Sequence, residues 1–152
     1  MTAGQPFRTF GAPDPGIEYK GRVGSYGVLL TDGNVLLEKT YQGHFLPGGG
    51  VDDGETLTEA LEREFLEETG YQVQSVKALP TVIQYIYLRQ KHKQKICNYF
   101  LVEGTQAYPE PVKPDCNPDG SKHTVEWIPI EQAVKSLLLE SDRWAVEEFA
   151  KG

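Results

Sequence analysis

The sequence predicts an α+β sandwich, and three observations carry that prediction. Short strand-like runs separated by turn residues fill most of residues 23–102. One long amphipathic helix interrupts them after Pro47-Gly48-Gly49-Gly50, and two further helical stretches close the chain. Strands and helices mixed in this way bury their apolar faces by layering against each other. With 152 residues, 39% hydrophobic and 11% aromatic, the chain is globular and forms one core without disulfide staples.

Taken in order, residues 1–16 hold Gly4, Pro6, Gly11, Pro13, Pro15 and Gly16, the composition of an extended arm or cap without regular structure. Residues 1–21 are therefore set apart as an N-terminal arm from a domain of residues 22–152. Residues 23–30 and 35–37 flank Asp32-Gly33-Asn34 and are expected to pair as a β-hairpin. Gly24 and Gly27 inside the first of these strands mark a bulge or a close backbone approach. Phe45 and Leu46 form a short strand that runs into the glycines, whose backbone is free to approach a phosphate or a metal.

The helix that follows has Thr56 as N-cap, Glu59 completing a capping box, and Gly70 as the residue that ends it. At about 100° per residue, Leu57, Ala60 and Leu61 share one stripe, the expected buried face. Further along, the same stripe carries Glu64, Glu67 and Glu68, while Glu59 and Glu62 lie opposite and read as solvated charge. Three like charges on a core-facing stripe are strongly unfavourable unless a cation neutralises them. Oxygen ligands spaced i, i+3 and i+4 suit a hard divalent ion, Mg²⁺ or Mn²⁺.

Beyond the helix, residues 73–78, 82–88 and 95–102 read as strands, with a basic hairpin loop from Arg89 to Lys95. Tyr85 and Tyr87 share one face of their strand, where they either stack on a base or pack on a helix. Residues 108–120 are rich in Pro, Asp and Gly and form a long loop from which Asp115, Asp119 and His123 are candidates to enter a site. A last strand spans 124–129, and helices cover 129–139 and 141–150 with Trp144, Val146 and Phe149 facing inward.

The net charge of −7 argues against a dedicated nucleic-acid partner, although metal ions let an acidic protein bind a polyphosphate. Cys97 and Cys116 lack metal-ligand spacing and are expected to be free and buried. No apolar run approaches the ~20 residues of a membrane span and no signal sequence is evident, so the expectation is a cytoplasmic protein without a membrane partner.

Gly49, five residues, Glu55, seven residues and then Arg63-Glu64-Phe65-Leu66-Glu67-Glu68-Thr69-Gly70-Tyr71 together resemble the Nudix box. The aliphatic residue that ends this motif in most members is Tyr71 here. The order of elements extends the likeness to roughly residues 20–150. The resemblance implies an α/β/α sandwich with a mixed sheet. It also implies an enzyme in which water attacks phosphorus to cleave the diphosphate of a nucleoside diphosphate linked to another group.

Under that resemblance Glu64, Glu67, Glu68 and the Gly48 carbonyl hold Mg²⁺ or Mn²⁺. Arg63 fixes a carboxylate, and Glu55 orients the loop. Glu64, Glu67, Asp115, Asp119 and Glu126 are the open choices for general base. Arg22, Lys39, Leu46 and Tyr87 are the expected substrate contacts. Tyr87 has a spacing found in dinucleoside polyphosphate hydrolases, whereas the proline of ADP-ribose hydrolases and the extended motif of NADH pyrophosphatases are absent. The expected partner is a small-molecule nucleoside diphosphate derivative, with a homodimer left open. The alternatives are a non-catalytic nucleotide-sensing module and an enzyme that removes oxidised nucleoside triphosphates.

Overall fold

The computed structural model describes residues 7–151, so Gly4 and Pro6 of the expected arm lie outside the described residues. The strands are β1 (Arg8–Phe10), β2 (Arg22–Thr31), β3 (Asn34–Thr40), β4 (Gly43–Phe45), β5 (Gly48–Gly50), β6 (Tyr71–Ala78), β7 (Val82–Leu88), β8 (Lys91–Gln106) and β9 (Thr124–Pro129). The helices are α1 (Leu57–Thr69), α2 (Ile130–Ser136) and α3 (Glu140–Ala150).

The strands join in the order β1-β7-β8-β2-β3-β4, with β5 on β2, β6 on β8 and β9 on β3. The sheet is mixed. Its centre is the parallel pair β2–β8, in register from Arg22 opposite Lys95 to Leu29 opposite Val102. Successive side chains alternate across this sheet and feed two cores. Leu29, Leu36, Phe100 and Val102 pack with Leu61 and Phe65 of α1. Val28, Val35, Leu37 and Tyr99 pack with Ala133 of α2 and with Ala145, Val146 and Phe149 of α3. The result is the expected three-layer sandwich.

Local signals explain the positions of the elements. In the β2–β3 turn Asp32 and Gly33 both take positive φ, 51° and 79°, the twist that a tight hairpin demands. Thr56 and Glu59 make the reciprocal capping box, and Gly70 ends α1 at φ 80°. Gly27 shows why a glycine interrupts β2, since a Cβ there would come within 2.7 Å of the Phe65 ring. The helix is thus seated closer to the sheet than any side chain at position 27 permits.

Four expectations are corrected. The arm is not wholly irregular, because Arg8–Phe10 pairs in parallel with β7 and buries Phe10. Arg89 to Lys95 is not a loop: a two-residue turn at Arg89 and Gln90, with φ 55° and 63°, sends the chain straight into β8 at Lys91. Leu57, in the first turn of α1, is 37% exposed, and the apolar anchor at that face is Phe65. Cys97 is free and buried as expected, but Cys116 is free and exposed, because it sits in the long loop.

Gly27→Ala is expected to lower stability by about 1–3 kcal/mol through overpacking against Phe65. Urea unfolding of the two proteins checks it, with the midpoint lowered and the slope retained.

Candidate active site

One cleft of about 780 Å³ opens beside α1. Helix α1 is the first wall, carrying Glu64, Glu67 and Glu68 at i, i+3 and i+4. The second wall is the glycine run, held flat as β5 against β2 with Gly50 opposite Gly24 and Gly48 opposite Tyr26. Gly48 has φ 147°, and a Cβ on it would lie 2.2 Å from the Ser25 carbonyl oxygen. At Gly49 an added Cβ would lie 2.6 Å from the Glu64 carboxyl carbon. Glycine at both positions therefore brings backbone against carboxylate, and the Gly48 amide donates to Glu68 Oε1 at 2.8 Å.

Arg63 ties the helix to the loop. Its Nε and Nη2 donate to both oxygens of Glu55, at 2.7 and 2.9 Å. Nη1 donates to Glu64 Oε1 at 3.0 Å, and Nη2 donates to the Gly50 carbonyl at 3.1 Å. Glu67 Oε1 lies 3.6 Å from the same guanidinium. Held by Arg63 and by the Asp52 amide, the Glu55 carboxyl drops to about 2 and stays charged. Arg63 thereby stiffens the site from behind without lining the cleft.

A third wall comes from β3 and the long loop. Glu38 is 7% exposed, and β3's alternation puts it on the same face as Leu36, toward α1. The loop is fastened over the end of α1, where the Lys113 amide donates to the Glu67 carbonyl at 2.7 Å. The His123 amide in turn donates to the Asp115 carbonyl at 2.8 Å. Asp115 and His123 are carried in this way to Glu38, and one ligand atom from each of the three lies within 4.8 Å of the others. His123 Nδ1 is 3.4 Å from Glu38 Oε2, and its Nε2 is buried without a partner among the described residues.

The electrostatics of this end of the cleft are one-sided. Burial pushes the Glu38 carboxyl up to about 7, and the charges of Asp115 and Glu64 push the same way. Burial raises Glu68 well above the usual carboxylate range, with Glu38 adding to it, and burial also raises Glu64. Among the described residues Glu68 has no ion pair, and its polar neighbours are the Gly48 amide and the Glu38 carboxyl. Buried, mutually repelling, oxygen-rich and short of protein cations, this group has the chemistry of a hard divalent ion's ligand set, with one imidazole added.

Arg22, Leu46, Gly48, Glu64, Glu67 and Glu68 all line the cleft. Two expected substrate contacts do not. Lys39 points away from it and pairs with Glu126 at 3.3 Å, because strand alternation sends it opposite Glu38. Tyr87 is 59% exposed and packs on His92 at 4.7 Å between ring centres. Of the later acids, Asp115 lines the cleft, while Asp119 accepts hydrogen bonds from Ser121 and Glu126 is held by Lys39 and His44. Glu38 escaped the sequence reading, although a charged residue in phase with Leu36 on a core strand is a legible signal.

The family model of the NUDIX domain matches residues 21–149. An RNA pyrophosphohydrolase of Ectopseudomonas mendocina is 31% identical over 143 residues, covering 82% of this chain and 89% of that protein. One from Aeromonas hydrophila is 29% identical over 136 residues, covering 78% and 77%. Among solved structures, a NUDIX hydrolase from Nitrosomonas europaea aligns with a TM-score of 0.67 at 21% identity, covering 88% of this chain and 90% of that one. A MutT NUDIX hydrolase from Burkholderia pseudomallei gives 0.57 at 24%, covering 84% and 97%. These structural likenesses bear on the fold.

The raised carboxyls have a consequence for stability with the sign set by linkage. An acid whose folded value exceeds its unfolded value near 4.5 destabilises the fold as pH rises through about 7. The metal-free protein should lose stability over that window, and Glu68→Gln should raise its Tm at about pH 8. The expected gain is on the order of 2–8 °C, from about 1–2 kcal/mol of relieved charge burial. Calorimetry of both proteins in chelator checks it.

Proposed function

The chain is a Nudix pyrophosphohydrolase, and from that premise we propose that it uses Mg²⁺ or Mn²⁺ to cleave the diphosphate of a nucleoside diphosphate derivative. The observation that carries this reading is the inward-facing carboxylate group of α1, pressed by Gly48 and Gly49 against the loop backbone. Glu64, Glu67, Glu68 and the Gly48 carbonyl would hold the ion, with Glu38 and Asp115 facing them across the cleft. Bound there, the ion supplies neutralisation of the phosphate charge and acidification of the attacking water.

The protein's own groups account for the remainder. Water adds to one phosphorus, the bond from that phosphorus to the bridging oxygen breaks, and the water's proton passes to a carboxylate. Glu64 suits this last role, because burial raises its proton affinity while Arg63 fixes one of its oxygens. Glu67 stands as the other candidate from the same helix. Arg63 acts by positioning: its charge is committed to Glu55 and Glu64 and turns no face to the cleft. Arg22 and Leu46, at the cleft wall, are the proposed substrate contacts. The name of the curated relatives supports a second reading of the substrate, the 5′ phosphate end of an RNA.

Glu67→Gln and Glu68→Gln should each lower kcat by about 10²–10⁴-fold while the fold is kept or strengthened. Chelator should abolish turnover, and added Mg²⁺ or Mn²⁺ should restore it. The measurement is product release from ADP-ribose, dinucleoside polyphosphates and 5′-triphosphorylated RNA, alongside circular dichroism. Wild-type rates in both variants would overturn the carboxylate assignment. Binding of these compounds without turnover by any metal-loaded protein would turn the reading to a sensing module.

A further inference from the structure

The same cleft is also lined by Lys20, Arg22, Arg89, Lys91, Lys93 and Lys95. None of the six has a carboxylate within ion-pairing distance among the described residues. The chain carries 22 acidic residues against 15 basic ones, so partners were available in number and were not used here. Mutual repulsion is felt within the group: beyond burial, Lys95, Arg89, Lys91 and Arg22 all lower the proton affinity of Lys93. Gathering unpaired cations in one concavity is costly unless an anion completes it.

The arrangement is linear. Lys91, Lys93 and Lys95 alternate along β8, so they share one face at intervals of about 6.7 Å. Arg22 stands beside Lys95, its register partner on β2. At the other end, the turn at Arg89-Gln90 holds two non-glycine residues at positive φ. That turn sets the Arg89 guanidinium 5.4 Å from the centre of the Tyr41 ring, at the mouth of the cleft. A half-buried Lys95 therefore leads by steps to exposed Lys91 and Arg89 at the hairpin tip.

We propose that Arg22, Lys95, Lys93, Lys91 and Arg89 form a phosphate track running out from the carboxylate end, and that the preferred substrates carry further phosphates beyond the diphosphate that is cut. This rests on the reading of the cleft as a pyrophosphohydrolase site. Lys95 already feels the charge of Asp142. A cleaved diphosphate is met by the carboxylates, their ion and Arg22, and it leaves Lys91, Lys93 and Arg89 of the hairpin without a counter-charge. A chain of phosphates supplies one, either as phosphoanhydrides in a dinucleoside polyphosphate or as phosphodiesters behind an RNA 5′ end. A two-phosphate compound such as ADP-ribose does not reach the hairpin tip with charge.

The test compares wild type with Lys91→Gln/Lys93→Gln, both at exposed or half-buried strand positions where the fold tolerates glutamine. Turnover and calorimetric binding are measured for ADP-ribose, diadenosine tetraphosphate and hexaphosphate, and a short 5′-triphosphorylated RNA. The double variant is expected to lose at least about tenfold more kcat/KM on a longer substrate than on ADP-ribose, through KM. On RNA the log–log salt slope should fall by about 1.4, from two lost phosphate contacts. Selective loss on the diadenosine polyphosphates identifies an anhydride chain, and selective loss on RNA identifies the phosphodiester backbone. Equal losses on all substrates, or none, overturn the track. Lysine-dependent binding with no turnover by wild type would overturn the hydrolase reading while leaving the track in place.

Discussion

The structure is organised by carboxylates that cannot leave. Glu68 and Glu38 face each other from helix and sheet, both buried, with Glu64 and Asp115 beside them. A side chain on an exposed strand or helix face relieves such repulsion by swinging into solvent. Here α1 is seated on Gly27, and β5 is pressed against it through Gly48 and Gly49, so that route is closed. The remaining ways to lower the energy are to take up protons or a cation. Proton uptake is the raised affinity of Glu38, Glu64 and Glu68, and cation uptake is the proposed chemistry. Both draw on one store of unfavourable charge.

Arg63 decides which of the acids takes part. The guanidinium is saturated by Glu55, Glu64 and the Gly50 carbonyl, so its charge is spent on geometry. Glu55 stays ionised because Arg63 and the Asp52 amide hold it there. Glu68 lies beyond Arg63's reach and meets the Gly48 amide and the Glu38 carboxyl. Acids with nearly the same solution chemistry thus divide into one that anchors and others that stay available. The division follows from position: Glu55 precedes α1 and meets Arg63, whereas Glu68 leaves α1 toward the Gly48 amide.

Much of this was legible in the sequence because its signals are local. The capping box, the closing glycine and the i, i+3, i+4 carboxylates depend on residues within one helix, and each is where spacing put it. What escaped depends on partners distant in sequence. β1 is a strand only because β7 offers it an edge, and three residues carry no period of their own. The sequence suggests a hairpin loop from Arg89 to Lys95 rather than a two-residue turn because Arg89-Gln90 lacks the Asn-Gly or Asp-Gly that announces a tight turn. Lys39 and Tyr87 were expected at the cleft by likeness, but strand parity turns Lys39 to Glu126, and Tyr87 lies exposed against His92. Glu38 was open to the same parity rule, applied to its neighbour Leu36.

Net charge was the least informative quantity. A total of −7 suggests a protein that repels phosphate, and it would do so if its charges were spread evenly. Instead the cleft gathers charges of both signs, with Glu38, Glu64, Glu67, Glu68 and Asp115 on its lining together with the lysines and arginines of β2, the β7–β8 hairpin and the segment before them. At roughly a Debye length of 8 Å or less, a bound group feels the nearest wall and little of the remote surface. On the proposed track a phosphate would meet the cations of the hairpin, and at the acids it would need an ion between. The sign of the whole molecule therefore says little about which ligands are admitted, whereas the charges that line the cleft bear on it directly.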